Sequence, residues 1–378
     1  MVAMDYSTWH GQRARDPRRL ALGSAQWGVP QYGIANHSGQ PAPAEVAAML
    51  ARARAVGIHT IDTARAYGES ERLIGALAPP DSGWRLVTKL APDVLGDEPA
   101  GARDEDAQRA RESGGGLGRP LAPMDSGGTA AGSRSLGLGE VLERVAASLE
   151  ASRRALDRDV LPMLLLHRFA HRHACGGRVW RYLLAEREAG RIGALGVSAA
   201  TPEQAWAALE DPDIEALQVA TSLLDLRLYR QGFFARAREL GRTVYVRSVF
   251  LQGVGHLEPE AMPAALTALA GPMEAIRQTA REMAVPTRAL YLAFVRELPG
   301  VHPVIGCETE PQLGELLADW SSDAVDTAVL MRLVEGLPTH DAALVDPSCW
   351  PSTPTPTPAE HPPARPNRAA GRSVATFP

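Results

Sequence analysis

The sequence predicts an α/β protein built as one (β/α)8 TIM barrel, and three observations carry that reading. Eight short β-type runs alternate with helical patterns along the chain, which implies a parallel sheet. Two polar, Gly- and Pro-rich tracts stand apart, and without them roughly 300 residues remain, a size that one barrel fills. The first β-type run is followed by LGSAQWG and not by Gly-x-Gly-x-x-Gly, the mark of the open doubly wound sheet that is the structural alternative.

The β-type runs lie at 20–24, 58–62, 85–89, 161–167, 194–198, 216–219, 244–249 and 301–305. Between them, 43–56 reads as a helix stopped by Gly57. Around 140–156, Val141, Leu142, Val145, Leu149 and Leu156 form one apolar stripe. A short helix at 205–209 is opened by Thr201-Pro202-Glu203, an N-cap followed by proline at the first helical position. The pattern at 285–298 carries a proline near its start and stops at Pro299-Gly300. No longer repeat accompanies this alternation. The predicted organisation is an N-terminal extension (1–18), a barrel (19–92 and 138–340), a low-complexity disordered insert (93–137) and a Pro-rich disordered tail (341–378). The insert leaves the ring just after Lys89, on the side where a lid would sit, and reads as decoration; the tail reads as linker.

Composition excludes several classes. Of 378 residues, 45% are hydrophobic, enough for a large core. A net charge of −5 argues against a nucleic-acid surface. No apolar run is long enough to span a membrane, and the Arg-rich start MVAMDYSTWHGQRARDPRR lacks the apolar centre of a secretory signal. Cys175, Cys307 and Cys349 are too scattered for a disulfide framework or a zinc site, which fits a reducing cytoplasm. His171-Arg-His173-Ala-Cys175 has no further ligands nearby and reads as a polar surface loop, so no metal is expected. Nothing specifies an oligomeric state.

One count stands out. Lys plus Arg is 39, yet Lys89 is the only lysine. Arginine replaces lysine well as a surface cation, but not as a compact ammonium with a shiftable pKa. Lys89 also ends the third β-type run. In a barrel of this kind catalytic groups sit at the C-terminal ends of strands. Asp62 ends the second run, His167 ends the fourth, and Tyr67 follows the second in DTARAYG. A tyrosine is a poor acid at neutral pH, and a nearby ammonium is expected to lower its pKa. Asp62 can hold that ammonium, and His167 can hydrogen-bond the phenol or a substrate oxygen. A tuned tyrosine beside a carbonyl is a general acid. A buried Asp–Lys pair or a Tyr bonded to His can each be structural alone; convergence from three strand ends favours chemistry.

These residues resemble the aldo-keto reductases. The resemblance covers about Leu20 to Leu317, apart from the insert. Its carriers are GIHTIDTARAYGESERLIG (57–75), LVTKL (86–90), MLLLH (163–167), GALGVS (193–198), LQVATSLLD (217–225), VRSVFLQG (246–253) and PVIG with PQL (303–313). It implies that Tyr67 is the general acid, Lys89 its modulator, Asp62 the lysine's partner and His167 an orienter or relay. It also implies a nicotinamide cofactor in the barrel mouth and reduction of aldehydes or ketones by hydride transfer.

By the same resemblance, Ser198 and Gln218 hold the carboxamide, although Ala199 and Ser222 stand where many members have asparagine. Arg247 replaces the aromatic that stacks on nicotinamide, and its planar guanidinium can also stack. Ser248, Phe250, Gln252 and Gly253 resemble the pyrophosphate loop. Gly23, Ser24, Gly306 and Gln312 are placed on the cofactor side, and Glu315 beside adenine. Trp27, Gln31 and Tyr32 are candidate substrate contacts. Family habit favours NADP(H); NAD(H) is favoured by the 306–312 loop, which holds Glu308 and Glu310 and no cation. The segments LGSAQWGVPQYGIAN and VRSVFLQG resemble a bacterial subgroup associated with sugar and polysaccharide metabolism, implying a small sugar-like carbonyl substrate. Two other readings stay open: a Schiff-base aldolase using Lys89, and a cofactor-binding barrel that senses without catalysing.

Overall fold

Eight parallel strands close into a barrel in chain order, with the first paired to the last. The computed structural model describes residues 15–30, 32–36, 39–96, 136–258 and 261–350. Gln31, the extension up to 14, the body of the insert (97–135) and the tail from 351 lie outside the described residues.

The strands are β1 (Ala21–Gly23), β2 (Thr60–Asp62), β3 (Arg85–Lys89), β4 (Leu161–Leu166), β5 (Ile192–Ser198), β6 (Ala216–Ala220), β7 (Thr243–Arg247) and β8 (Val301–Gly306). All eight predicted runs are strands; their ends agree to within two residues. The run at 244–249 stops at Arg247 because Ser248 turns left-handed (φ 60°), which no ladder accommodates. The run at 161–167 stops at Leu166, leaving His167 at the mouth.

Two apolar clusters follow from the strands' two faces. Inside the ring, Ala21, Val87, Leu165, Ala216 and Tyr245 pack together with Met163 and Val304. A far larger cluster lies between the ring and its helices. Strands buried on both faces show apolar runs and not alternation, which is why these short segments read as they do.

Helices α1 (Ala25–Gly28) and α2 (Pro43–Ala55) follow β1, α3 (Ser70–Leu77) follows β2, and α4 (Leu138–Leu156) follows β3. α5 (Ala174–Glu188), α6 (Pro202–Glu210), α7 (Arg227–Arg230) and α8 (Phe233–Glu239) come next. α9 (Ala270–Glu282) and α10 (Thr287–Glu297) precede β8, and α11 (Glu310–Ser321), α12 (Thr327–Gly336) and α13 (Ala342–Val345) follow it. The predicted cap of α6 forms: the Thr201 hydroxyl accepts from Gln204 N at 3.3 Å. Thr309 caps α11 in the same way. In α4 the stripe differs from expectation. Leu142 is only partly buried, and Ser148 and Ser152 occupy the buried face beside Val141, Val145, Leu149 and Leu156.

Two domain boundaries are corrected. The tail drawn from 341 begins too early, because α13 and a turn at Pro347–Cys349 still fold onto the barrel, with Val345 fully buried. The insert drawn from 93 also encroaches on the core, since Val94 is buried and Leu136 packs against the same cluster. All three cysteines are free, and no helix among the described residues is long and apolar enough to cross a membrane.

Candidate active site

The loop from β2 to α3 carries Tyr67, and the surrounding backbone holds it tightly. Thr63 N donates to Val87 O at 2.8 Å, Tyr67 N to Ala64 O at 3.0 Å, and Ser70 N to Tyr67 O at 3.0 Å. Two glycines permit this packing. A methyl group at Gly28 would overlap the Tyr67 carbonyl oxygen, and one at Gly68 would overlap the Gly28 carbonyl oxygen. Gly68 also adopts a left-handed conformation (φ 52°). The Tyr67 loop therefore lies directly against α1, with the Ser70 hydroxyl bonded to the Ser24 hydroxyl at 2.6 Å.

Under this loop sits Lys89, fully buried. Its Nζ donates to both Asp62 oxygens, at 2.7 and 2.9 Å, and to Thr63 O at 2.9 Å. All three ammonium donors are thus satisfied, as a buried charge requires. Gln218 Nε2 donates to the same Asp62 Oδ1 at 2.7 Å. The Lys89 ammonium lies 5.1 Å from the centre of the Tyr67 ring, and the His167 ring meets that ring edge-on at 6.0 Å. Tyr32 approaches it from the other side at 6.4 Å. The predicted convergence of Asp62, Tyr67, Lys89 and His167 is present.

The electrostatics differ from the expectation in one respect. Tyr67 is not held below the ordinary range. Enclosure pushes its pKa up, the Asp62 carboxylate adds to the rise, and only Arg247 opposes it. Asp62, held against Lys89, offsets much of the ammonium's pull on the phenol, and enclosure outweighs the rest. Tyr67 therefore keeps its proton at neutral pH, the form an acid must start from. Burial also lowers Lys89, with Asp62 opposing.

Burial, with the charges of Lys89 and Arg247 adding, pushes His167 down to about 3, and its Nδ1 is buried without a hydrogen-bond partner. His171 is pushed down to about 4 by burial. The surface-loop reading of the His171–Cys175 segment holds for His173 and Cys175, which are exposed, but not for His171, which is fully buried; no metal-binding cluster occurs among the described residues. A histidine whose folded pKa lies below its unfolded value binds fewer protons folded than unfolded. Stability should therefore be full above about 6.5 and fall as pH drops toward 4. Chemical denaturation at pH 7.5 and 5 measures this. His167→Gln should flatten the dependence; an equal drop in the variant would assign the effect elsewhere.

A cavity of roughly 360 Å³ opens at the C-terminal ends of the strands, within the range of small-molecule sites. It runs from Asp62, Tyr67 and Tyr32 past Gln218 to the ends of β7 and β8 and the first turns of α11. Gly23, Arg247, Ser248, Phe250, Gln252 and Gly253 line it as expected, with Gly306, Gln312 and Glu315 at the far end. The β7 loop is strained: Ser248, Leu251 and Gln252 are non-glycine residues in left-handed conformations (φ 60°, 48° and 52°). A methyl group at Gly253 would come within 2.7 Å of Ala35 Cβ.

Three expectations are corrected. Trp27 is fully buried in the core and does not reach the cavity, because α1 turns it inward. The Ser24 hydroxyl is buried and bonded to Ser70. Ser198 pairs in register beside Gln218 but is buried off the cavity wall. Other wall residues were missed. Gln26, Asn36 and Arg288 all line the cavity. Arg288 is the cation that the 306–312 loop lacks, supplied by α10 and paired with Glu315 at 3.1 Å and with Asp319. Only tertiary packing brings it there, and no local motif marks it. Glu71 is a second omission: buried in the first turn of α3, it accepts from Arg65 at 2.6 Å and from Thr88 at 2.7 Å, clamping the residue before Lys89. The acidic first turn of α3 was its only sequence signal.

A parallel barrel with a protonated tyrosine, a buried lysine–carboxylate pair and a histidine at its mouth belongs to the class of carbonyl-reducing oxidoreductases. The aldo/keto reductase family model matches residues 19–328. The chain therefore belongs to the aldo/keto reductase family. No curated protein matches it. Solved structures of similar fold include an aldo-keto reductase from Bacillus halodurans in its holo form, 15% identical, with 86% of this chain and 95% of that chain covered and a TM-score of 0.59. A glycerol dehydrogenase from Gluconobacter oxydans is 20% identical over 89% of this chain and 94% of its own, with a TM-score of 0.57. An aldo-keto reductase from Pseudomonas aeruginosa is 21% identical over 82% and 91%, with a TM-score of 0.51.

Proposed function

We propose that the protein reduces a small aldehyde or ketone in the cytoplasm, using NADP(H) and Tyr67 as the acid. The observation that carries this reading is the Tyr67 ring set over the Lys89–Asp62 pair at the cavity wall. The bound nicotinamide would supply the hydride. Tyr67 donates its proton to the carbonyl oxygen as negative charge develops there. Lys89, fixed by Asp62, offers a cation beside the resulting phenolate. Its charge acts on the phenolate far more than on the neutral phenol, so it offsets part of the cost that enclosure places on the transfer. His167, neutral at pH 7 and set edge-on to the Tyr67 ring, can hydrogen-bond the same oxygen.

The donor set fits a dinucleotide. Gln218 and Arg247 flank the inner end, and the left-handed β7 loop with Ser248, Gln252 and Gly253 borders the middle. Gly306, Gln312 and Glu315 stand at the outer end. Arg288 supports NADP(H), since a 2′-phosphate can exchange with Glu315 for the guanidinium. NAD(H) is the second reading, favoured by Glu308 at the same end. The polar wall of Gln26, Asn36 and Tyr32 suits a hydroxylated, sugar-like substrate.

Titrations following nicotinamide fluorescence test the cofactor assignment. NADPH should bind about tenfold or more tightly than NADH, and Arg288→Leu should reduce that ratio about tenfold. Tighter binding of NADH would reverse the assignment. Binding of neither would return attention to Lys89 as an amine nucleophile, which borohydride trapping reads directly.

A further inference from the structure

We propose that Arg247 anchors a carboxylate on the substrate, so that the preferred carbonyl compound is an acid. This rests on the reductase reading and adds the class of substrate to it. The charged groups around Tyr67 are Asp62, Lys89 and Arg247. The first two neutralise each other through two bonds of 2.7 and 2.9 Å. Tyr67, Tyr32 and His167 are neutral at pH 7. Arg247 thus brings an uncompensated positive charge to the inner cavity wall.

Its contacts show how little balances that charge. The guanidinium donates to Ala199 O at 3.4 Å and to the Ser248 hydroxyl at 3.3 Å, both long for bonds from a cation and both to neutral acceptors. No carboxylate among the described residues forms an ion pair with it. Asp225, buried in the loop after β6, is committed to Arg227 through two bonds of 2.8 Å. The other arginine on the cavity wall, Arg288, has two carboxylate partners. A half-buried guanidinium with no anion is costly unless a ligand supplies one.

Position gives the charge a use. Arg247 is the last residue of β7, and the left-handed turn at Ser248 ends the strand there. The bond to Ala199 O ties its side chain to the end of β5. It lines the same cavity as Tyr67 and is close enough for its charge to act on Tyr67, Tyr32, Lys89 and His167. A guanidinium has a planar face and a donor edge, so stacking on a ring leaves its edge free for a carboxylate. A carboxylate a few bonds from the carbonyl can therefore be held while Tyr67 protonates the carbonyl oxygen. The cofactor's pyrophosphate offers the same kind of anion, and the test separates the two sources.

Succinic semialdehyde and butanal differ by the carboxylate and serve as probes. With the full chain and saturating NADPH, kcat/KM should favour succinic semialdehyde by about 10–100-fold, the span of a charge-assisted hydrogen bond. Arg247→Met should bring that preference close to parity, mainly through KM, and Arg247→Lys should retain part of it. No preference in the wild-type protein, or a preference that survives Arg247→Met, overturns the proposal. A preference that survives while the NADPH dissociation constant rises tenfold assigns Arg247 to the pyrophosphate and also overturns it. If neither aldehyde is consumed, the reductase reading fails, and calorimetric titration with succinate decides the anchor alone. Binding lost in Arg247→Met sustains it; equal binding, or none, overturns it.

Discussion

Replacing Tyr67 with phenylalanine should lower kcat for carbonyl reduction by about 10²–10⁴-fold, the usual contribution of a positioned general acid. The reason is specific to this site. Tyr67 holds its proton firmly at neutral pH because enclosure and Asp62 both raise its pKa. In the proposed reaction the acid is therefore always loaded, and its release depends on what faces the phenolate. In that reading the ammonium of Lys89, 5.1 Å from the ring centre, offsets part of the cost of forming the anion. Phenylalanine keeps the ring packed against Tyr32 and His167, so NADPH affinity should stay within about twofold. Steady-state rates and fluorescence titration on the same preparation check both halves. Unchanged turnover in Tyr67→Phe would move the acid role to another residue, with His167 the first to examine.

Lys89→Met should have the second large effect, on stability as well as rate. The substitution leaves Asp62 buried with a negative charge and only the Gln218 amide to answer it. Breaking a buried ion pair by removing one partner costs about 3–5 kcal/mol. The double variant Lys89→Met/Asp62→Asn removes the stranded charge and preserves an acceptor for Gln218, so it should regain most of the lost stability. It should not regain activity, because no cation then faces the phenolate. Denaturant midpoints together with turnover separate the two roles. Recovered turnover in the double variant would make the pair purely structural.

Much of the site was legible because its residues are marked by rarity and by place. Lys89 is the only lysine in a chain with many arginines, and it falls at the end of a β-type run. Asp62 ends the preceding strand, and His167 directly follows the next. Strand ends in a parallel barrel all face one side, so a linear reading of them is already a spatial one. The same logic misplaced Trp27 and Ser24, which follow β1 closely. The short α1 and the contact between Gly28 and the Tyr67 loop turn both into the interior, and a sequence pattern does not encode that rotation.

The direction of the Tyr67 shift was not legible either. Proximity of a lysine lowers a tyrosine's pKa only where its charge outweighs enclosure and the lysine's own counter-ion. That balance depends on how deeply Tyr67 is enclosed and on Asp62 lying within hydrogen-bond distance of Lys89, a matter of ångströms that strand order does not specify. Arg288 is the parallel case for the far end of the cavity. It lies outside the 306–312 segment in sequence but stands on the same cavity wall, paired with Glu315 and Asp319.

The chain's alternation of short apolar runs with capped helices was sufficient to specify eight parallel strands, their order and the face on which chemistry gathers, because burial on both sides of a strand and the handedness of βαβ connections leave few alternatives. Charge compensation was settled only by the folded packing. It neutralises Lys89 and Arg288 with carboxylates from other segments and leaves Arg247 without one among the described residues. Coulomb and desolvation energies in a buried site depend on separations of a few ångströms between groups far apart in sequence, and those distances exist only once the barrel has closed.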